Sequence, residues 1–377
     1  MATETKGKKS TANRSSNGTS KTKATNANVN AKKRAQKKRR KIMIFAAEIV
    51  VLLVALVVLY GVLKGEKVGK VEIKESDIIM NENVAENESL KGYRNIALFG
   101  VDSRAGEISK NTRTDTIIIA SVNQDTGEVK LVSIYRDTYL NLSNDTYTKC
   151  NAAYMKGGPE MAINMLNMNL DLNITDFVTV GFAGLTDTID ALGGVYIDVD
   201  EAELEHINNY QYCMAEDLKR SYNEVTTTGY QLLDGLQATA YCRIRYTAGN
   251  DFKRAERQRE VLQATAEVAK KASVSSLTEI ANSVFDEVYT SLDLSEIIEL
   301  LGGISKYTIV ADEGFPREDL RATGNIGSSG SCVVPTSLAD NVKWLHEFLF
   351  NDTNYEVSTD VQSYSDKIYS DTSPYLK

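Results

Sequence analysis

Two stretches of this chain gather residues that could handle phosphate. Between Asn95 and Thr138 lie Gly100-Val101-Asp102-Ser103-Arg104, Arg113-Thr114-Asp115-Thr116 and Arg136-Asp137-Thr138. The second stretch is Tyr241-Cys242-Arg243-Ile244-Arg245, followed by Asp251, Arg254, Arg257, Gln258 and Arg259. Of the 12 arginines beyond Leu63, eight fall in these two stretches, in a region where acids outnumber bases. A planar guanidinium fork pairs with phosphate in bidentate fashion, and carboxylates beside it can share a divalent cation with phosphate oxygens. Clustered arginines with nearby acids therefore point to a pyrophosphate site.

The elements that must position these residues alternate strand and helix, which argues for an α/β domain. The apolar run Ile96 to Val101 reads as a buried strand ending at Asp102. Thr116 to Val122 and Val129 to Tyr135 read as two more, joined by the tight turn Asn123-Gln124-Asp125-Thr126-Gly127. That turn makes them antiparallel, so the start of one and the end of the other share an edge of the sheet. Arg113 and Asp115 are then expected beside Arg136 and Asp137. If the first strand ends at the same edge, Asp102 and Arg104 join them. Arg243 and Arg245, two apart, are expected on one face of a strand. Asn250 or Asp251 would cap a following helix on which Arg254, Arg257 and Gln258 share a side. Arg257 and Arg259 would equally suit a solvated helix face.

Composition divides the chain sharply. Residues 1–41 are basic and almost devoid of apolar side chains, as expected of a disordered tail. Residues 42–63 are apolar except for Glu48, Tyr60 and Gly61, long enough to span about 30 Å of hydrocarbon. The basic flank would stay inside, making a single-pass anchor with the bulk of the chain outside the cytoplasm. On that reading Lys37-Lys38-Arg39-Arg40-Lys41 is a membrane flank, and no nucleic acid is expected. Glu48 would sit near the inner headgroups or be protonated. A charged connector at 64–91 would raise the domain off the membrane, and a polar tail at 351–377 would be loose. Gly157-Gly158-Pro159-Glu160 reads as a helix start, with Met161, Ala162, Met165 and Leu166 as its apolar stripe. Leu185, Ile189 and Leu192 form another stripe, stopped by Gly193-Gly194 before a strand at Val195 to Val199. The four cysteines show no zinc spacing, and Cys150 and Cys242 read as small buried hydrophobes. His206 and His346 have no triad partners in view.

The segments NIALFGVDSR, TRTDTIIIASV, LVSIYRDTYL, CNAAYMKGGPEMAI, DALGGVYIDV, TGYQLLDGLQATAYCRIR and DFKRAERQREVL occur in that order from about Arg94 to Leu262. This ordered set resembles the LytR–CpsA–Psr (LCP) family of Gram-positive envelope proteins. One departure is Tyr135, where the family usually has Pro before the Arg-Asp pair. The resemblance implies a catalytic domain over 92–350, with a mixed central β-sheet flanked by helices on both faces. It also implies transfer of a glycopolymer, such as teichoic acid or capsule, from an undecaprenyl-pyrophosphate carrier to the muramic acid 6-hydroxyl of peptidoglycan, forming a phosphodiester. Asp102 and Asp115 would bind Mg²⁺, or Mn²⁺ in its place. Arg113, Arg136, Arg243, Arg245, Arg254 and Gln258 would contact the pyrophosphate, with Arg113, Arg136 and Asp137 nearest the chemistry. Asp137 could serve as the base or orient Arg136. The same constellation would suit a polyprenyl-pyrophosphate hydrolase. A non-catalytic lipid-binding regulator would not need the paired acids.

Overall fold

The computed structural model describes residues 69–70, 73–82, 84, 86–102, 108, 112–269, 271–272, 288–292 and 307–376. The expected tail at 1–41, span at 42–63, Glu48, Ser103 and Arg104 lie outside the described residues. Among the described residues no helix is long and apolar enough to cross a membrane.

The strands are β1 (Gly69–Lys70), β2 (Tyr93–Val101), β3 (Thr114–Asn123), β4 (Glu128–Ile134), β5 (Tyr139–Asn141), β6 (Tyr147–Lys149), β7 (Asp176–Gly181), β8 (Val195–Val199), β9 (Gly229–Leu233), β10 (Val288–Thr290), β11 (Thr308–Phe315), β12 (Arg321–Ile326) and β13 (Gly330–Pro335). The helices are α1 (Ala152–Leu170), α2 (Phe182–Ala191), α3 (Glu201–Leu218), α4 (Gly235–Tyr241), α5 (Asn250–Ala269), α6 (Leu338–Phe350) and α7 (Thr359–Thr372). Seven strands form one mixed sheet in the order β1-β10-β7-β2-β3-β4-β11. β2, β3 and β4 run antiparallel in succession, while β7 lies parallel to β2 and β11 parallel to β4.

Alternation along the central strands sends side chains to two cores. Ala97, Phe99, Ile117 and Ile119 join α1, α6 and α7 on one face. Ile118, Ala120 and Val122 gather on the other with Leu262 of α5. Helices therefore cover both faces, as expected. A further cluster, built from Ile189, Ile197, Ile207 and Leu236, joins α2, α3, α4 and the antiparallel pair β8 and β9.

Several expectations need correction. The tail at 351–377 is not loose: α7 starts at the cap Ser358, whose hydroxyl accepts from Val361 N, and buries Val361 and Ile368. Its apolar residues at i and i+7 lie on one face amid polar ones, a sparse stripe that composition hides. The described part of the connector is no free spacer either. Val84 and Leu90 are buried, and Ile79 N donates to Asn164 Oδ1 of α1 at 2.8 Å. α1 begins before the Gly-Gly-Pro motif, and its helical angles break at Gly157 and Gly158, so that Pro159 opens a second helical segment. The Ala162, Met165 and Leu166 stripe lies in the core as read, and Cys150 and Cys242 are buried.

His346 of α6 is buried with its ring stacked on Tyr355 at 3.6 Å, and Nε2 lies 3.0 Å from Leu170 O. Burial pulls its pKa down to about 4, against smaller opposing effects from Leu170 O, Asp171 and Asp352. The unfolded chain, with an ordinary value near 6.5, then binds the extra proton first. Stability from this group is present above about pH 6.5 and is lost as pH falls towards 4, by roughly 3 kcal/mol in all. Thermal melts between pH 7 and pH 4 are expected to fall less steeply for His346→Phe than for the wild type.

Candidate active site

The site begins with a closing irregularity in the sheet. Gly100 pairs with Thr116 and Val101 with Thr114, which leaves Asp115 as an extra residue on β3. Such a bulge re-aims the side chain it carries. Gly100 permits the close approach, because a Cβ there would lie 2.8 Å from the Thr116 Cβ. β4 runs antiparallel to β3 and delivers Arg136 two residues past its end. Asp115 and Arg136 thus converge on one sheet edge, as the hairpin reading requires, and β2 ends at that edge and brings Asp102 to them.

Arg243 and Arg245 do not lie on a strand. α4 ends at Tyr241, and the chain continues through a turn whose Cys242 N donates to Ala238 O and Ala240 O. The alternating residues are those of a helix exit, which the spacing of two arginines alone does not distinguish from a strand. The turn still brings both guanidinium groups to the site.

Asp102, Asp115, Arg136, Arg243, Arg245, Arg254 and Gln258 line one pocket of about 260 Å³, together with Phe182, Tyr210 and Cys242. Arg136 is ion-paired with Asp115 and lies 3.6 Å from Asp251 and 3.9 Å from Asp137. Arg245 stands 3.9 Å from Asp115 and 3.3 Å from Asp251, and Arg254 3.4 Å from Asp251. Arg243 approaches Asp102 at 3.6 Å and sits over the rings of Phe182 and Tyr210, at 5.0 and 5.6 Å. Those cation–π contacts hold the guanidinium at the pocket wall. Asp251, read from sequence as a helix cap, therefore ties three arginines together. Phe182 and Tyr210 carried no signal in the sequence, because their roles depend on where α2 and α3 land.

Two expected residues are not in that lining. Arg113 is exposed and is not among the pocket's lining residues. Asp137 is outside that lining but borders an adjoining pocket with Asp115, Arg136, Asp251, Arg254 and Gln258, 3.3 Å from Lys149 and 3.9 Å from Arg136. Arg257 and Arg259 are not on a solvated face. Arg257 is 1% exposed and bonds Glu203, and Arg259 pairs with Asp312 and donates to Ser133 Oγ at 2.9 Å.

The electrostatics favour an anion. Burial alone would lower the pKa of Arg136, but Asp115, Asp251 and Asp137 outweigh it and raise the value. Arg254 is pulled down to about 10, by burial first and then by its neighbours Arg136 and Arg245. The Nε–H groups of both Arg136 and Arg254 are buried with no hydrogen-bond partner among the described residues. Buried donors are ordinarily satisfied, and an oxyanion between these arginines would satisfy them while relieving their mutual repulsion.

Asp102 is half exposed and Asp115 largely covered, both on the pocket wall. Among the described residues no group of three or more His, Cys, Asp or Glu is placed to hold a metal ion. Two carboxylates are the donor set that a cation such as Mg²⁺ would need if it took its remaining ligands from phosphate and water.

Beside this pocket is an apolar cavity, with Phe182, Cys242 and Gln258 common to the walls of both. Its lining includes Leu98, Ile118, Val178, Val180, Leu185, Val261 and Leu262. A charged pocket sharing a wall with an apolar cavity suits an amphiphile with an anionic head.

The LytR_cpsA_psr family model matches residues 58–337. A protein of Oceanobacillus iheyensis, named polyisoprenyl-teichoic acid–peptidoglycan teichoic acid transferase TagU, is 30% identical over 236 residues, covering 60% of this chain and 68% of that protein. An Enterococcus faecalis protein of the same name is 32% identical over 205 residues, covering 54% and 62%. The chain thus spans about two thirds or less of these relatives. A solved structure of the LytR-CPS2A-psr family protein YwtF (TagT), with bound octaprenyl pyrophosphate lipid, superposes with a TM-score of 0.52 at 21% identity, covering 74% of this chain and 100% of that one. At that identity the likeness is one of fold.

Proposed function

This chain belongs to the LytR–CpsA–Psr family, and from that premise we propose that it transfers a glycopolymer from an undecaprenyl-pyrophosphate carrier to peptidoglycan. The observation that carries this reading is the common wall between the arginine pocket and the apolar cavity. A pyrophosphate would lie among Arg136, Arg243, Arg245 and Arg254, with the start of the polyprenyl chain against Leu98, Val178 and Leu262. The TagU names of the relatives and the lipid bound in the TagT structure support the same assignment of carrier and acceptor.

In the proposed reaction the muramic acid 6-hydroxyl oxygen attacks the phosphorus that bears the glycan. The bond from that phosphorus to the bridging oxygen breaks, undecaprenyl phosphate leaves with the electron pair, the hydroxyl proton passes to that departing phosphate or to solvent, and a phosphodiester forms. Phosphoryl transfer needs positioning and charge neutralisation more than covalent catalysis. Arg136 and Arg254 supply buried donors for charge that grows on the leaving phosphate. Asp115 and Asp251 hold the guanidinium groups apart and oriented. Asp137, turned to Arg136 and Lys149, orients Arg136 in this scheme. A Mg²⁺ ion held by Asp102 and Asp115 would neutralise phosphate charge. The catalytic domain would act outside the cytoplasm, anchored through residues 42–63.

The test uses the fragment from about Lys64 with lipid-linked glycan, Mg²⁺ and peptidoglycan oligomers. Covalent attachment that requires Mg²⁺ is the expected outcome. Release of free glycan phosphate without attachment would replace the transferase with a hydrolase, and lipid binding without turnover would replace it with a regulator. Asp102→Asn is expected to raise the Mg²⁺ concentration for half-maximal transfer about tenfold or more. An unchanged Mg²⁺ titration would remove Asp102 from the cation site.

A further inference from the structure

Arg321, at the start of β12, lies in the part of the chain where the sequence motifs are least distinctive. Its guanidinium Nη1 donates to the Tyr135 hydroxyl at 3.1 Å and to Pro316 O at 3.3 Å. The guanidinium carbon stands 3.9 Å from the centre of the Phe252 ring and 5.1 Å from that of Tyr135. The two rings meet edge to face at 4.6 Å. Tyr135 and Phe252 belong to one small apolar cluster with Ala255 and Val333.

The sequence neighbours of those two rings give the cluster its meaning. Tyr135 precedes Arg136, and Phe252 follows Asp251. The Asp251 carboxylate approaches Arg136, Arg245 and Arg254 at 3.6, 3.3 and 3.4 Å, as described above. We infer that Arg321 is a positioning residue for the arginine pocket: one guanidinium, bonded to Tyr135 and stacked on Phe252, sets the spacing between the end of β4 and the start of α5. Its effect on rate rests on the transferase reading above, whereas its effect on the pocket's geometry does not.

The backbone around Tyr135 is fixed to match. Tyr135 N donates to Phe315 O at 3.0 Å, and Thr138 N donates to Tyr135 O at 2.9 Å, so Arg136 rides on a turn closed at both ends. β11 makes room for the hydroxyl at Gly314, where a Cβ would lie 2.0 Å from it. The C-terminal strands thus supply the acceptor that locks the turn, the gap that admits the ring, and the cation that holds it. Arg321 is not among the residues lining the pocket, so it acts through its neighbours. A displacement of about 1 Å in a positioned group can cost about 10²-fold in rate.

The experiment compares the full chain in detergent with Arg321→Gln, Arg321→Lys and Tyr135→Phe. Its first readout is the NMR signal of the Arg136 Nε–H group, assigned by its loss in Arg136→Lys. Arg321→Gln is expected to shift or broaden that signal. Its turnover should fall about tenfold to a hundredfold, with KM for the lipid-linked glycan changed less than about threefold. Arg321→Lys keeps the charge but lacks the planar face, and it is expected to restore little. Tyr135→Phe removes only the hydroxyl and should lie between the wild type and Arg321→Gln. A lower melting temperature with an unchanged Arg136 signal and unchanged turnover would reduce Arg321 to a structural residue and overturn the inference. If the wild type itself transfers nothing, the functional reading fails, while the Arg136 signal still decides whether Arg321 positions the pocket.

Discussion

Replacing Arg136 with alanine is expected to lower transfer by about 10²–10³-fold, the loss commonly seen when one preorganised donor to a developing oxyanion is removed. Arg136 is central because it is ion-paired with Asp115 and within 3.6 Å of Asp251, so it couples the β3 bulge to the start of α5. Alanine removes a donor to the phosphate and leaves both carboxylates facing an anionic ligand. Arg245 and Arg254 remain within 3.9 Å of one or the other, so the pocket keeps positive partners and the fold should persist. Arg136→Lys separates charge from shape. An ammonium restores a point charge but cannot form the bidentate fork, so it should recover only part of the loss. Turnover measured beside lipid affinity and melting temperature distinguishes these effects. Wild-type turnover in a folded Arg136→Ala protein would move the chemistry away from this pocket.

The convergence of Asp115 and Arg136 was legible in the sequence because a tight turn between two β-rich runs permits only one arrangement of their ends, whereas Asp102 was expected there only if the first strand ended at the same edge. The bulge at Asp115 was not, since it arises from how β2 and β3 close around Gly100. Arg243 and Arg245 were correctly expected near the other arginines, yet for the wrong local reason. A helix exit and a strand both admit an alternating pair, and the capping box of Asp234 and Gln237 that starts α4 was the overlooked signal. Arg113 precedes β3 and is exposed, two residues from Asp115 but not among the residues that line the pocket, so its place at the phosphate stays an expectation from the motif. Arg257 and Arg259 show another limit. Charge on a helix is usually solvated, and nothing in the local sequence states that Glu203 and Asp312, far away in the chain, neutralise them.

Arg257 leads to the second large effect. Its side chain and that of Glu203 are 1% and 2% exposed, with Nε 2.7 Å from the carboxylate. Arg257→Met would leave a buried, uncompensated carboxylate, which typically costs about 3–5 kcal/mol. For a domain of this size the melting temperature should drop by roughly 10 °C. A double variant, Glu203→Gln with Arg257→Met, removes both charges. It also keeps an acceptor for Asp200 N, to which Glu203 now bonds at 2.9 Å in the capping box of α3. This double variant is expected to recover about half the lost stability or more. Transfer should not recover with it. Arg257 also donates to Ile244 O at 3.2 Å and to Thr247 Oγ1 at 2.7 Å, and these bonds hold the turn that carries Arg243 and Arg245. With those anchors gone, two of the four pocket arginines lose their fixed backbone even when the core is neutral. Stability and turnover that return together in the double variant would show that Arg257 serves the fold alone. Stability that returns without turnover would show that a buried arginine of the core holds half of the arginine pocket in place.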